Sequence, residues 1–214
     1  MAAAKGTTES TFDFLPDELN YPTLKAASAE CRGCDLYRNA TQTVFGEGDT
    51  SSGVIFVGEQ PGDEEDLKGR PFVGPAGRLF DKALKEAGID REKIYLTNTV
   101  KHFKWKPQGK RRIHQKPNAA EITACDPWLR SELIMVQPKI LVCLGATAAQ
   151  SLLGKQFRVT QMRGKWLESE LAPNTIATIH PSAILRTPGE LRDAAFADFV
   201  SDLVIVAEAI DTGA

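Results

Sequence analysis

The sequence opens without a continuous apolar stretch, and no later segment runs far enough without charge to span a bilayer. Those absences set aside a cleaved leader and a membrane span, and predict a soluble, cytoplasmic protein. Internal repeats and low-complexity tracts are also missing, so neither a solenoid nor a disordered chain is expected. An excess of positive charge is lacking too. The formal net charge is −2 over 214 residues, so any surface for nucleic acid has to be local. Cysteine is scarce, four in all, and only Cys31 and Cys34 stand close together, as C-x2-C.

What is present is a regular alternation of apolar runs and Gly/Pro punctuation, enough for one domain with a sizeable core. Residues 1–20 are small and polar and read as a loosely held arm; residues 21–214 read as a single domain. VIFVG (Val54 to Gly58), IYLTNTV (Ile94 to Val100), KILVCLG (Lys139 to Gly145) and the start of TIATIHPSA (Thr175 to Ala183) have the apolar, β-branched look of buried strands. Between them, Pro75 to Ala87 carries apolar residues at helical spacing with Gly88 as a stop. Asn118 and Glu121 form a capping pair for a helix reaching about Val136, and ATAAQSLLG reads as another helix. Leu191 to Ile210 closes the chain. This order predicts a three-layer α/β/α sandwich with a mainly parallel central sheet. Ligands of such sheets sit beyond the carboxyl ends of the strands, where GEQPG, TNTVKH and IHPSA all fall.

A zinc ribbon needs two close cysteine pairs, and this chain has one. In a reducing compartment four thiols read as ligands of zinc or of an iron–sulfur cluster sooner than as disulfides, although Cys125 and Cys143 are equally readable as buried core thiols. In GEQPG the two glycines let backbone amides approach a ligand, and Glu59 brings a carboxylate to the mouth of the pocket. The acidic run from Asp63 to Asp66 reads as a solvated face, with Asp63 near enough to share the Glu59 site. Phe72 lies in the loop GRPFVGPAG, where a planar ring can stack on a base or simply pack beneath the loop.

Between Lys101 and Lys116 there are seven Lys/Arg and no Asp or Glu, with Phe103 and Trp105 interleaved. Its centre, GKRRIHQKP, has no apolar period and reads as an exposed loop suited to phosphates. His114 inside it needs a reason of its own. His102 has no assigned role, and Phe103 and Trp105 suit either base stacking or anchoring of the loop.

Cys31-x2-Cys34, Gly58–Gly62, Gly69–Gly74, Thr97-Asn98, Cys125, Cys143 and His180-Pro181-Ser182 together resemble the iron–sulfur uracil-DNA glycosylases of family 4, over about Glu30 to Ala209. Two departures, Gln60 where a small residue is usual and the basic segment Lys110 to Gln115, resemble the X-type branch, whose members excise uracil and stay covalently joined to the DNA. The resemblance implies a [4Fe–4S] cluster on Cys31, Cys34, Cys125 and Cys143. It implies uracil contacts from the Gln60 backbone, Phe72, Asn98 and His180, and catalysis by Glu59, His180 and Asp63, with His114 attacking the sugar C1′. Lys110, Arg111, Arg112 and Arg186 are then the expected DNA contacts. The substrate is expected to be uracil-containing DNA, single strands at lower cost, bound by a monomer without a membrane. Two alternatives remain: ordinary turnover that releases an abasic site, and a module that binds uracil without cutting.

Overall fold

A computed structural model describes residues 9–213; residues 1–8 of the expected arm lie outside the described residues. The strands are β1 (Glu47–Gly48), β2 (Val54–Gly58), β3 (Tyr95–Asn98), β4 (Trp105–Gln108), β5 (Arg111–His114), β6 (Ile140–Leu144), β7 (Trp166–Leu167) and β8 (Asn174–Thr178). The helices are α1 (Tyr21–Ala29), α2 (Asp63–Lys68), α3 (Pro75–Ala87), α4 (Ala119–Val136), α5 (Ala146–Leu153), α6 (Val159–Met162), α7 (Pro181–Arg186) and α8 (Gly189–Asp211). No helix among the described residues is long and apolar enough to cross a membrane.

Six strands form one sheet in the order β1-β3-β2-β6-β8-β7. The four apolar strands β2, β3, β6 and β8 are parallel, and the short edges β1 and β7 run antiparallel. Both faces are covered, which is why the parallel strands are apolar throughout rather than alternating. On one face Phe56, Val142 and Ile176 pack against Phe80 and Leu84 of α3 and Phe199 and Leu203 of α8. On the other, Ile55, Val57 and Leu141 meet Leu129 and Leu133 of α4 and Ala148 and Ala149 of α5. This is the expected three-layer α/β/α arrangement. The capping pair at Asn118 and Glu121 is present, each side chain accepting from the other's backbone amide, and Gly88 ends α3 in the left-handed region at φ 80°.

Three segments differ from the sequence reading. The acidic run is the helix α2, and two of its carboxylates point inward: Glu65 accepts the Gly74 amide at 2.8 Å, and Asp66 accepts the Thr41 amide at 2.9 Å. The basic segment is a β-hairpin rather than a loop, with β4 and β5 pairing Trp105 to His114 and Gln108 to Arg111. Gly109, at φ 58°, makes its two-residue turn, as glycine at the first turn position allows. Finally, at the inner end of the arm, Thr11 is buried, its hydroxyl donating to the Ala124 carbonyl of α4.

Just beyond β3, Lys101 is 1% exposed and paired with Glu132 of α4, itself 0% exposed. All three ammonium protons are used, on Glu132, on the Thr97 hydroxyl at 2.7 Å and on the Asn98 carbonyl at 2.7 Å. Removing one partner strands the other in a dry interior, so Lys101→Met is expected to cost about 3–5 kcal/mol of unfolding free energy. Lys101→Met combined with Glu132→Leu should recover most of it. Urea titrations of the three proteins check both expectations.

Candidate active site

A cleft of about 960 Å³ opens at the carboxyl ends of β2, β3 and β8. Its lining includes Glu59, Gln60 and Asp63 from the turn after β2, Phe72, Asn98 from β3, His114 from the hairpin, and His180 and Arg186 around α7. Residues scattered from 59 to 186 in sequence are therefore brought to one place. Glycine is needed at the end of β2: a Cβ on Gly58 would lie 2.4 Å from Asn98 Oδ1 and 2.8 Å from Phe72 Cζ. The missing side chain lets the amide and the ring converge on the floor of the cleft.

Phe72 is 5% exposed and holds φ 55°, an uncommon backbone state for a bulky residue. Arg91 donates to its carbonyl, and Glu65 fixes the Gly74 amide two residues on. The Phe72 ring packs on Phe80 at 5.4 Å and lies roughly parallel to the His180 imidazole at 6.3 Å. Base stacking and packing beneath the loop are thus served by the same ring, which joins the core and still lines the cleft.

His180 caps α7. Its Nδ1 accepts from the Ser182 amide at 3.2 Å and faces the Ser182 hydroxyl at 2.8 Å. That hydroxyl in turn accepts from Arg186 at 3.1 Å, leaving its proton for the imidazole. An accepting Nδ1 puts the ring proton on Nε2. Burial lowers the His180 pKa to about 4, so the ring is a neutral donor at physiological pH. The sign of the linkage follows: between about pH 6.5 and 4 the unfolded histidine takes up a proton that the folded one refuses. Its contribution is complete above that window and is lost as pH falls through it, on the order of 3 kcal/mol. Urea titrations at pH 7 and pH 5 should show a smaller loss in His180→Asn than in the parent.

Glu59 uses its two oxygens differently. Oε2 accepts from the Thr147 hydroxyl at the start of α5, and Oε1 lies 3.3 Å from His114 Nε2. Burial opposes ionisation, yet the contacts with His114 and Thr147 hold the carboxyl below the usual carboxylate range. His114 is half exposed at the cleft mouth, with its ring 6.2 Å from that of Phe103.

The hairpin is held at several points. Gln60, expected to act through its backbone, uses its side chain: Oε1 accepts the Lys104 amide at 3.1 Å, and Nε2 donates to the Gln115 carbonyl at 3.0 Å. Both roots of the hairpin are thereby tied to the GEQPG turn. Arg112, expected on phosphates, instead turns inward to Asp63, to Asp66 and to the Thr41 hydroxyl. Its guanidinium lies 5.5 Å from the Phe103 and Trp105 ring centres. Asp63 is correspondingly committed to Arg112 rather than shared with Glu59. Trp105 donates to the Asn39 carbonyl at 2.8 Å, and Phe103 is buried, so both anchor the hairpin. Lys110 and Arg111 at the tip, and Arg186 by the cleft, stay exposed.

The cysteines do not assemble as a set of four. Cys31, Cys34 and Cys125 share one apolar cluster with Leu24, Phe45 and Trp128 under α1. Trp128 Nε1 donates to Cys31 Sγ at 3.1 Å, and the Lys101 amide to Cys125 Sγ at 3.2 Å. Cys143 lies elsewhere, inside β6 between Val57 and Ala177 and within the α4–α5 core. Burial pushes its thiol up to about 12, as it does that of Cys125, so packing rather than acidity separates the two. The expected four-thiolate set is therefore not assembled: three of its members share an apolar cluster, and no group of three or more side chains among the described residues is gathered closely enough to hold a metal ion. Sequence reasoning also missed Thr147, Lys101 and the side-chain role of Gln60, none of which belongs to a local pattern that announces it.

Residues 45–204 match the family model described as the uracil DNA glycosylase superfamily. A type-4 uracil-DNA glycosylase of Thermotoga maritima is 40% identical over 165 residues, covering 76% of this chain and 82% of that protein. One from Archaeoglobus fulgidus is 38% identical over 176 residues, covering 79% and 84%. A type-5 uracil-DNA glycosylase of Pyrobaculum aerophilum is 30% identical over 162 residues, covering 67% of each. With the parallel sheet, the cleft at its carboxyl edge and these matches together, the chain belongs to the uracil DNA glycosylase superfamily.

Proposed function

We propose that this protein cleaves the N-glycosidic bond of uracil in DNA and that His114 then captures the sugar C1′, leaving protein and DNA covalently joined. The observation that carries the reading is the pairing of His114 Nε2 with Glu59 Oε1 at 3.3 Å, at the mouth of the cleft that holds Asn98, Phe72 and His180. A surface histidine that merely joins a phosphate-binding loop has no need of a carboxylate partner or of a hairpin anchored at both roots.

Uracil within a duplex stack is out of reach, so the nucleotide enters flipped out or comes from a single strand. The Asn98 amide offers a donor and an acceptor, which suits the mixed edge of uracil, and Phe72 supplies the stacking face. When the C1′–N1 bond breaks, its electron pair leaves with uracil, and the Nε2–H of neutral His180 is a fixed donor for the oxygen that gains charge. One such donor is worth about 3–4 kcal/mol in a preorganised site. Glu59 faces the positive charge that develops on the sugar.

Neutral imidazole is a better nucleophile than water and is abundant near pH 7. The ring nitrogen with a free lone pair bonds to C1′, the other ring nitrogen sheds its proton toward Glu59, and departed uracil takes up a proton. Lys110, Arg111 and Arg186 contact phosphates, while Arg112 and Asp63 act through the hairpin. A [4Fe–4S] cluster held by Cys31, Cys34 and Cys125 would tie α1 to α4 and supplies no step of the reaction.

The test is denaturing electrophoresis after incubation with a uracil-containing single strand and a thymine control. A uracil-dependent species that survives heat and detergent is the expected result. DNA that becomes alkali-labile without that species would replace the proposal with ordinary turnover, and intact DNA would leave only a binding module.

A further inference from the structure

We infer that the segment around α6 is a track for single-stranded DNA leading away from the cleft, with Lys155, Arg158 and Lys165 meeting phosphates and Trp166 stacking on a base beyond the uracil site. The inference rests on the proposed substrate being DNA and concerns residues that the uracil chemistry leaves without a role.

Charge is the first observation. No Asp or Glu occurs from Leu133 to Leu167, and four Lys/Arg fall between Lys155 and Lys165. One of the four is used internally: Arg163 Nε donates to Asp202 Oδ2 at 2.8 Å, and Asp202 also accepts from the Thr178 hydroxyl at the end of β8. Lys155, Arg158 and Lys165 are exposed and form no ion pair among the described residues. The α2 wall of the cleft is the opposite case. There Asp63 is paired with Arg112, and Glu64 with Lys68 and Arg78. Cations without local acids attract a polyanion, whereas neutralised pairs do not.

Placement is the second. Val159 and Thr160 line the cleft, with Arg158 directly before them. From α6 the chain turns along the edge of the sheet, where the Gly164 amide donates to the Ala177 carbonyl at 3.0 Å and Trp166 pairs with Ile176. Ile176 lies two residues before the end of β8, so Trp166 is about 7 Å along the strand from the cleft rim. A strand whose uracil occupies the cleft has to continue over one of its walls, and this is the wall with uncompensated positive charge.

The third is Trp166 itself. It is 41% exposed and belongs to none of the hydrophobic clusters, although Leu167 beside it packs in the α4–α5 core. Trp105 and Trp128 donate their indole protons to Asn39 and Cys31, but that of Trp166 has no acceptor among the described residues. Protection of an edge strand explains Lys165 alone; it explains neither the indole next to it nor Arg158. A flat ring among unpaired cations suits a single strand, whose bases are free to stack, and not a duplex.

The test is fluorescence anisotropy of the full chain with two oligothymidylates, a trinucleotide and a strand of about 15 nucleotides, over a series of salt concentrations. Neither probe contains uracil, so both bind without reacting. The parent should bind the longer strand more tightly. Replacing Lys155, Arg158 and Lys165 together by alanine should remove most of that advantage and reduce the salt slope by about 2, at about 0.7 for each phosphate contact. Alanine at Lys85, Lys93 and Lys139 makes the same change in net charge away from the cleft and should keep the parent's slope. Trp166→Ala should weaken the longer strand at least about fivefold, and Trp166→Phe should keep most of the affinity. An unchanged slope in the first triple variant, or equal losses in the two triples, overturns the track. Parental affinity in Trp166→Ala, or a Trp166→Phe as weak as it, overturns the stacking. If the parent binds the longer strand as expected but leaves uracil in place, the glycosylase reading fails and the track stands.

Discussion

His114→Ser is expected to abolish the heat- and detergent-stable protein–DNA product while uracil release continues. In the proposed mechanism the two steps separate because loss of uracil is assigned to Asn98, Phe72, His180 and Glu59, all of which remain in place. Serine leaves a space at the cleft mouth that water can enter, and an un-ionised hydroxyl is a much weaker nucleophile than neutral imidazole at pH 7. The rate constant for uracil release should stay within about tenfold of the parent, since at most about 1.4 kcal/mol of transition-state stabilisation is at stake when the nucleophile acts after the bond has broken. Electrophoresis reads the adduct, and alkaline cleavage of the same samples reads the abasic site. An undiminished adduct would remove His114 as the linking residue. Loss of both products would mean that imidazole takes part in breaking the bond.

Much of this fold is legible in the sequence because its elements carry their own local signals. VIFVG and KILVCLG are buried on both faces and therefore apolar throughout, and Asn118 with Glu121 announces a helix start. Where sequence reading stops is the hairpin. Its strands, WKPQ and RRIH, have no clean alternation, and their stability comes from partners far away in the chain. Arg112 is held by Asp63 and Asp66, Trp105 by Asn39 and both roots by Gln60. None of those pairings leaves a periodicity to read, so a charged segment looked like a solvated loop. The inward turn of Asp66 is the same case seen from the other side: a carboxylate in an acidic run becomes buried only because a remote guanidinium reaches it.

The cysteines show a different limit. Spacing identifies Cys31 and Cys34 as a pair, and the resemblance carried Cys125 and Cys143 along with them. Only the packing separates the last two, one facing the pair under α1 and one locked inside β6. Gln60 and the basic segment, read as two separate departures from the family 4 pattern, are one physical unit. The side-chain amide that replaces a small residue is what fastens the hairpin carrying His114.

Glu59→Gln is expected to slow uracil release on the order of 10²- to 10³-fold, the scale of removing one preorganised charge or donor from a transition state. The substitution keeps the shape of the side chain and an oxygen for Thr147 while deleting the charge that faces both the sugar and His114. Adduct formation must fall with it, because capture follows release. Whether Glu59 mainly orients His114 or mainly stabilises the sugar cation is decided in the His114→Ser background, where the orienting role no longer exists. A carboxylate pinned by Thr147 in a partly buried cleft is a fixed counter-charge, so most of the loss should persist there; full disappearance of the loss would assign Glu59 to orientation alone. The pH dependence gives an independent reading. The Glu59 carboxyl is held below the usual range, so it stays ionised at neutral pH and its contribution is lost only as pH falls through that depressed value. Protonation of His180 at about 4 leaves Nε2–H in place but turns Nδ1 into a donor facing the Ser182 amide, so the ring loses the contact that fixes its aim. In single-turnover profiles of His114→Ser, uracil release should therefore collapse on the acid side with two groups contributing, and Glu59→Gln should leave a shallower limb due to His180 alone.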